Sequence, residues 1–373
     1  MLPSAKQVFV RASSQTPYSK RPTEGVTTIS VLADAFAALL ETSGLAIRDI
    51  DGLAVSSFTL TPDRAIDLAV KFGLKLSWIM DGGTGGASGV DMTQHAMRAV
   101  EAGDAKNIVV LGGDVFRDAD FTHLVENYNR NTQELLTPIG VQGPNALFAL
   151  LTQTQMEELG LTKEDYGRLV IHQRKMASTN PNALYREPLS LDEYLSAPQI
   201  ATPLGMFDCV PVASGANAVL ISDTPGATPI IIRKISVAHN YDLHEGDGTS
   251  TGLSQLSEEI FNEMDRDTID VVALYDDYPA IVIAQLADLG FISRSNASED
   301  LKRLLLNDRP LVNCSGGQLS SGQCGAGAGL HGIVEVVNAL GTTSATRGLV
   351  TGYGMVAYRY GACANAMLLE AIK

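Results

Sequence analysis

The chain has 373 residues, 45% of them hydrophobic and 18% charged, which excludes a disordered chain and holds a large core with more than one structural unit. The formal net charge of −15 argues against nucleic acid and anionic membrane as default partners, because both are polyanions. It does not exclude an anionic small molecule met by a local basic patch or a helix N-terminus.

In chain order, the sequence predicts a first strand over residues 7–13 ("QVFVRAS"). A helix follows from residue 28, with Val31, Leu32, Ala35, Phe36, Leu39 and Leu40 at helical spacing and Gly44 ending it. A β-rich segment over 50–58 and a helix over 63–74 lead to "LSWIM" (76–80). Then comes "DGGTGGASGVDMTQHAMRAV" (81–100), a glycine turn opening a helix, a device that presents something at its tip. The nearest side chains with chemistry are Thr84 and Ser88. "KNIVVLGGD" (106–114) reads as a buried strand. Residues 115–200 are helical and loop-rich, an insertion in the first half, after which 215–223 returns to a strand.

The second half repeats the order. Strand 229–240, helix 252–264, strand 270–278, helix 280–291, strand 310–317, helix 326–340 and a closing hairpin make an internal duplication. The two halves are expected at 1–225 and 226–373, with the junction at "DTPGAT" (223–228). Cys209, Cys314, Cys324 and Cys363 show no zinc spacing. His239 and His244, with Asp242 and Glu245, match no ligand pattern, so no metal is expected. Without a secretory leader or an apolar window of ~20 residues, the expected setting is the cytoplasm, with free thiols.

The turn-helix "GGASGVDMTQHAMRAVEAGDAKNIVVLGGD", the stretch "NCSGGQLSSGQCGAGAGLHGIVEVV" and the element order resemble the thiolase superfamily over nearly the whole chain. "YREPLSLDEYLSAPQIATPLGMFDCVPVASGANAVLIS" and "ALYDDYPAIVIAQLADLGF" resemble its sterol-carrier and lipid-transfer-protein branch. The resemblance implies an α/β thiolase fold of two similar αβαβα halves. It also marks three departures. Gly86 stands where the family has its nucleophilic Cys. Gln323 and Cys324 stand at the Gly-His-Pro place, and Gly352 or Tyr353 at the second Cys.

Acyl transfer needs an activated nucleophile, which glycine cannot be. Cys324, in a glycine turn opening a helix, is the candidate displaced thiol, while Cys363 reads as a packed core residue. A retro-aldol cleavage of a β-hydroxyacyl-CoA needs only a base and an enolate pocket. The branch resembled includes such aldolases, which place a tyrosine where Tyr275 stands. A second family tyrosine falls at Gln323. The base is Tyr275, or alternatively Asp276 or Asp277; on a strand Tyr275 and Asp277 share one face. Tyr278 and Tyr353 are further candidates. Backbone N–H groups near Gly86, Gly317 or Gly354 are the expected enolate donors, and Ser88, His172 and Arg174 the expected substrate-binding residues, the last two meeting CoA phosphates.

The reading is therefore a CoA-thioester aldolase with no tightly bound cofactor. The alternatives are an acyl-CoA acyltransferase using a displaced Cys, and a non-catalytic lipid-CoA-binding or scaffold subunit. The resemblance also implies a homodimer joined through an edge strand of the first half, with 106–114 and its preceding helix as the surface. It further implies an OB-fold, zinc-ribbon partner subunit.

Overall fold

The computed structural model describes residues 6–117, 122–124, 128–141, 143–243, 245, 248–356 and 361–373. Twelve strands are found among them: β1 Phe9–Gln15, β2 Gly52–Ser56, β3 Trp78–Asp81, β4 Asn107–Asp114, β5 Gln199–Ala201, β6 Leu204–Gly205, β7 Gly215–Ser222, β8 Ile230–His239, β9 Val271–Ala273, β10 Leu311–Val312, β11 Arg347–Val356 and β12 Gly361–Ala371. Ten form one sheet in the order β10-β9-β11-β12-β8-β1-β7-β4-β2-β3; β5 and β6 pair separately.

Read outward from the middle, the sheet repeats itself. β1, β7, β4, β2 and β3 run one way; β8, β12, β11, β9 and β10 run the other in the corresponding order. The pairings match as well. β2 is parallel to β3 and β4, and β9 is parallel to β10 and β11. The inner pairs β4–β7, β1–β7, β11–β12 and β12–β8 are antiparallel. The two sets meet in the sheet where Phe9 of β1 pairs with Ile231 of β8, and in sequence one set ends with β7 at Ser222 and the other begins with β8 at Ile230.

Apolar periodicity explains the helices. Helix α1 (Thr28–Ser43) buries Val31, Leu32, Ala35, Phe36 and Leu39 against the first strand set. Thr27 and Ser30 close a capping box and Gly44 takes the left-handed C-cap, features worth ~1 kcal/mol at the N-cap alone. α2 (Ala65–Phe72) covers the same face. α3 (Ser88–Ala102) and helix Ala328–Thr342 pack together between the strand sets, sharing a core of Val90, Met92, Ala96, Leu330, Ile333 and Val334. They cross where Gly89 faces the Gly329 carbonyl so closely that any side chain on Gly89 would overlap it. The insertion supplies helices Pro144–Leu159, Lys163–Ala177 and Leu191–Leu195, which join the core of the second half.

Three expectations are corrected. The strand expected over 270–278 stops at Ala273, so Tyr275, Asp276 and Asp277 sit on the irregular stretch beyond it. The strand expected over 310–317 is only Leu311–Val312, because Gly316 and Gly317 turn the chain into a short helix, Gly317–Ser321. The segment 106–114 is not a sheet edge: β4 lies between β2 and β7, its hydrogen bonds taken on both sides, and the edge of this half is β3.

Candidate active site

The first glycine turn is locked before it presents anything. β3 ends at Asp81, a single 3-10 turn covers Gly85–Ala87, and α3 begins at Ser88. The Ser88 hydroxyl accepts from the Thr84 N–H at 2.9 Å, and Thr84 Oγ1 donates to Asp91 at 2.5 Å. Asn365 donates to the Ala87 carbonyl and to Asp91. Ser88 is thus a fully buried brace of the turn, not the substrate contact expected of it.

The space beside Gly86 is filled from the other half. A side chain on Gly86 would overlap the ring and hydroxyl of Tyr275. Tyr275 is held there by its main chain: its N–H donates to Thr351 Oγ1 at 3.0 Å and its carbonyl accepts from Gln285 at 2.7 Å. Its hydroxyl donates to Asp277 Oδ2 at 3.0 Å. Gln323 donates to the Tyr275 hydroxyl oxygen at 3.2 Å and to Asp277 Oδ1 at 2.6 Å. The three groups close a small ring of hydrogen bonds over the Gly86 turn.

Burial pushes the Asp277 carboxyl up to about 7, against the stabilising hydrogen bonds from Tyr275 and Gln323. Burial, and then the neighbouring Asp277 charge, hold the Tyr275 phenol well above its ordinary value. Asp277 is therefore the member of the pair that exchanges a proton with solvent near neutrality, and Tyr275 is protonated at rest. Asp276 points elsewhere. It accepts from Gln173 and from the N–H groups of Gln318 and Leu319, at the start of helix Gly317–Ser321.

The other expected site residues divide sharply. Gly354 packs against the Gly86 turn: a side chain there would overlap the Thr84 carbonyl and lie 2.7 Å from the nitrogens of Gly86 and Ala87. Gly317 instead faces Asp276, Gln173 and Asn313, so it belongs to the Asp276 anchor and not to an enolate pocket with Gly86. Tyr353 points away; its hydroxyl accepts from the Gly361 N–H at 3.0 Å and meets Tyr241 at 3.4 Å. Tyr278 donates to Asn145 and stacks on Phe148.

Cys324 lies on the opposite side of the chain from Gln323, fully buried with Tyr18 and Ala213, and burial pushes its thiol up to about 12. Burial raises Cys363 to about 11 and Cys209 to about 12, and it pushes Cys314 well above its ordinary value, so none of the four thiols is activated. His172 is buried, set against the Val312 carbonyl, and its pKa is lowered by burial. It does not share a surface with Arg174, whose neighbours are Ser320 and the rings of Tyr185 and Phe207. Among the described residues no group of three or more His, Cys, Asp or Glu is placed to hold a metal ion, and His244 lies outside them.

Arg174 opens onto a groove of about 560 Å³ that is also lined by Lys20, Arg117, Val210 and Val212. Only 6% of Arg174 is exposed, and no carboxylate pairs with it among the described residues. The groove wall is the backing of the site: the Val210 N–H donates to the Asp277 carbonyl, and Val212 bridges Gln323. Tyr128, from the insertion, was not singled out by the sequence. Its hydroxyl stands 2.6 Å from where a side chain on Gly85 would begin, and no motif in "VENYNRN" signals it.

Residues 236–359 match the family described as "Thiolase C-terminal domain-like". The chain is 27% identical to a steroid side-chain-cleaving aldolase of Thermomonospora curvata, over 88% of this chain and 89% of that protein. It is 26% identical to the 17-hydroxy-3-oxo-4-pregnene-20-carboxyl-CoA lyase of Mycobacterium tuberculosis, over 91% and 92%. A solved Ltp2-ChsH2(DUF35) aldolase superposes with a TM-score of 0.83 at 24% identity, covering 98% of both chains. A monomeric SCP2-thiolase-like protein of Mycobacterium smegmatis superposes with a TM-score of 0.75 at 18% identity, over 99% of this chain and 78% of that one. The fold is thus that of the thiolases, and the second-half family match with the aldolase and lyase relatives supports the sterol-carrier thiolase-like branch.

Proposed function

We propose that this protein is a CoA-thioester lyase that cleaves a β-hydroxyacyl-CoA by a retro-aldol step. The observation that carries the reading is the Tyr275 phenol in the volume beside Gly86, held between Asp277 and Gln323. A thiolase nucleophile has no room there, and a proton-transfer pair takes its place.

In the reaction, the substrate hydroxyl gives its proton to Tyr275 as the phenol passes its own to the Asp277 carboxylate. The Cα–Cβ bond breaks, a ketone leaves, and the electron pair moves into the thioester as an enolate. Backbone N–H groups of the Gly86 turn, at the N-terminal end of α3, stabilise the enolate oxygen. The proton then returns to Cα, giving the shortened acyl-CoA. Nothing is oxidised or reduced, so the chemistry calls for no cofactor beyond the CoA of the substrate. A positioned acid/base of this kind contributes ~10²–10⁴-fold.

Arg174, Lys20 and Arg117 suit the CoA phosphates, Arg174 having no carboxylate to satisfy it. The names of the two aldolase and lyase relatives support a bulky, steroid-like acyl group. The Ltp2-ChsH2(DUF35) aldolase structure supports a complex with a DUF35 partner, in the place of the OB-fold, zinc-ribbon subunit expected from the sequence. A homodimer would form through β3, where Ile79 is 44% exposed beside Ile66 and Val70 of α2, 57% and 75% exposed.

The test is incubation of the purified protein, with and without such a subunit, with a β-hydroxyacyl-CoA bearing a steroid side chain, followed by mass spectrometry. Ketone and shortened acyl-CoA in equal amounts are expected. An acyl group trapped on a cysteine would overturn the reading in favour of acyl transfer.

A further inference from the structure

The turn that carries Gly86 has a second phenol over it. Tyr275 fills the space beside Gly86, and Tyr128 fills the space beside Gly85, the residue before it. Gly85 has a φ of +57°, so its backbone already favours glycine, and the absence of a side chain lets the Tyr128 hydroxyl approach the turn. Phe58 packs edge-on against the Tyr128 ring at 5.8 Å and fixes its direction. Among the described residues the hydroxyl of Tyr128 makes no hydrogen bond, whereas those of Tyr275, Tyr278 and Tyr353 all do. A partly buried phenol whose hydroxyl has no protein partner among the described residues, set against a functional turn, has its donor free for a bound acceptor.

Resting on the retro-aldol reading, we propose that Tyr128 is a further catalytic residue, donating a hydrogen bond to the thioester oxygen as the enolate develops. Position separates its role from that of Tyr275. Tyr275 is already engaged with Asp277 and Gln323 and handles the proton. Tyr128 stands on the Gly85 side of the same turn, at the end of α3 that favours negative charge. Burial and the Asp277 charge keep Tyr128 protonated, as a hydrogen-bond donor must be. Two donors of different origin, backbone and phenol, then converge on one developing oxyanion.

Tyr128→Phe tests this, since it keeps the ring on Phe58 and deletes only the hydroxyl. The expected loss is about 10²-fold in kcat with KM within about threefold, the size seen when one oxyanion donor is removed. The independent readout is exchange of the α-proton of the shortened acyl-CoA in D2O, which needs the enolate but not the substrate hydroxyl; it is expected to slow by a similar factor. If wild-type protein releases ketone and Tyr128→Phe matches it in both assays, the role of Tyr128 is refuted while the retro-aldol reading stands. If wild-type protein releases no ketone, both fall.

Discussion

The molecule contains its glycine turn twice, and the two copies have opposite fates. In the first half a 3-10 turn, Gly85–Ala87, opens the fifteen-residue helix α3; in the second, Gly325–Gly327 opens the fifteen-residue helix Ala328–Thr342. Each turn leaves a glycine-sized space that the other half fills. Tyr275 fills the space at Gly86, and Asp114 fills the space at Gly325. Asp114 is saturated: it accepts from Ser57, the N–H groups of Phe58 and Thr59, Thr59 Oγ1 and the Ala326 N–H. Among the described residues, the side chains of the Tyr275–Asp277 pair receive a hydrogen bond only from Gln323 outside the pair. One backbone device thus serves as a structural clamp where its filler is fully bonded, and as a candidate site where it is not.

Breaking each filler in turn should separate the two roles. The largest effect expected is on catalysis at the first turn. Tyr275→Phe deletes only the hydroxyl and should lower turnover at least ~10²-fold, with CoA-thioester affinity little changed, as kinetics and calorimetry would show. Asp277→Asn should be as severe or worse, within ~10²–10⁴-fold, because it removes the final proton acceptor. If Asp277→Asn keeps wild-type turnover, Asp277 is not that acceptor.

Asp277→Asn carries a second signature, in stability. The folded-state pKa of Asp277 is raised from 3.8 to about 7 by burial, so its ionised form costs stability. That cost is absent below about pH 4, grows between the two values and is complete above about 7. Asn should therefore stabilise the protein at pH 8, by roughly 1–3 kcal/mol, and give no such gain at pH 4. At the second turn the expectation reverses. Asp114→Asn leaves at least one buried N–H without its acceptor and should cost ~1–3 kcal/mol in urea unfolding, with kcat of the folded protein unchanged.

Gln323 offers a finer test. Turnover should rise with pH through about 7 as Asp277 ionises. Gln323 donates to that carboxylate and so favours its charged form. Gln323→Leu removes the donor, and the acidic limb of the pH–rate profile should move to higher pH. A shift toward lower pH would show that Gln323 does not act on Asp277.

What the sequence carried of this arrangement follows from which interactions are local. The helices and buried strands show in apolar periodicity, so α1, α3 and β4 are legible. The repeated order of elements is legible for the same reason, and the alternation along 275–277 separates Asp276 from the face shared by Tyr275 and Asp277. Contacts that cross the sheet are not legible. Nothing near Gly86 announces that a ring from residue 275 lies against it, nothing near Tyr128 points to Gly85, and Gly317 reads like Gly354 until Asp276 is seen beside it. The apolar run "KNIVVLGGD", expected at a sheet edge, likewise says nothing of β2 and β7 on either side.

The smallest expected effect concerns Cys324, and it is informative because it is small. In sequence Cys324 has the marks of a reactive thiol: a glycine turn, a following helix, a polar neighbour. In the structure the residue before it faces Asp277 and Tyr275, and the thiol itself turns into a pocket with Tyr18, Ala213 and Leu184. Asn217 donates to its sulfur at 3.5 Å, and burial outweighs any help from the turn, leaving the thiol at about 12 and hence protonated at neutral pH. Cys324→Ala should then leave kcat and KM within about twofold, and iodoacetamide should leave wild-type activity intact under native conditions. The cost should appear as stability, since a buried side chain is shortened without a replacement, on the order of 1 kcal/mol in a denaturant titration. A loss of turnover in Cys324→Ala without loss of stability would return the thiol to the chemistry and reverse the contrast between the two turns.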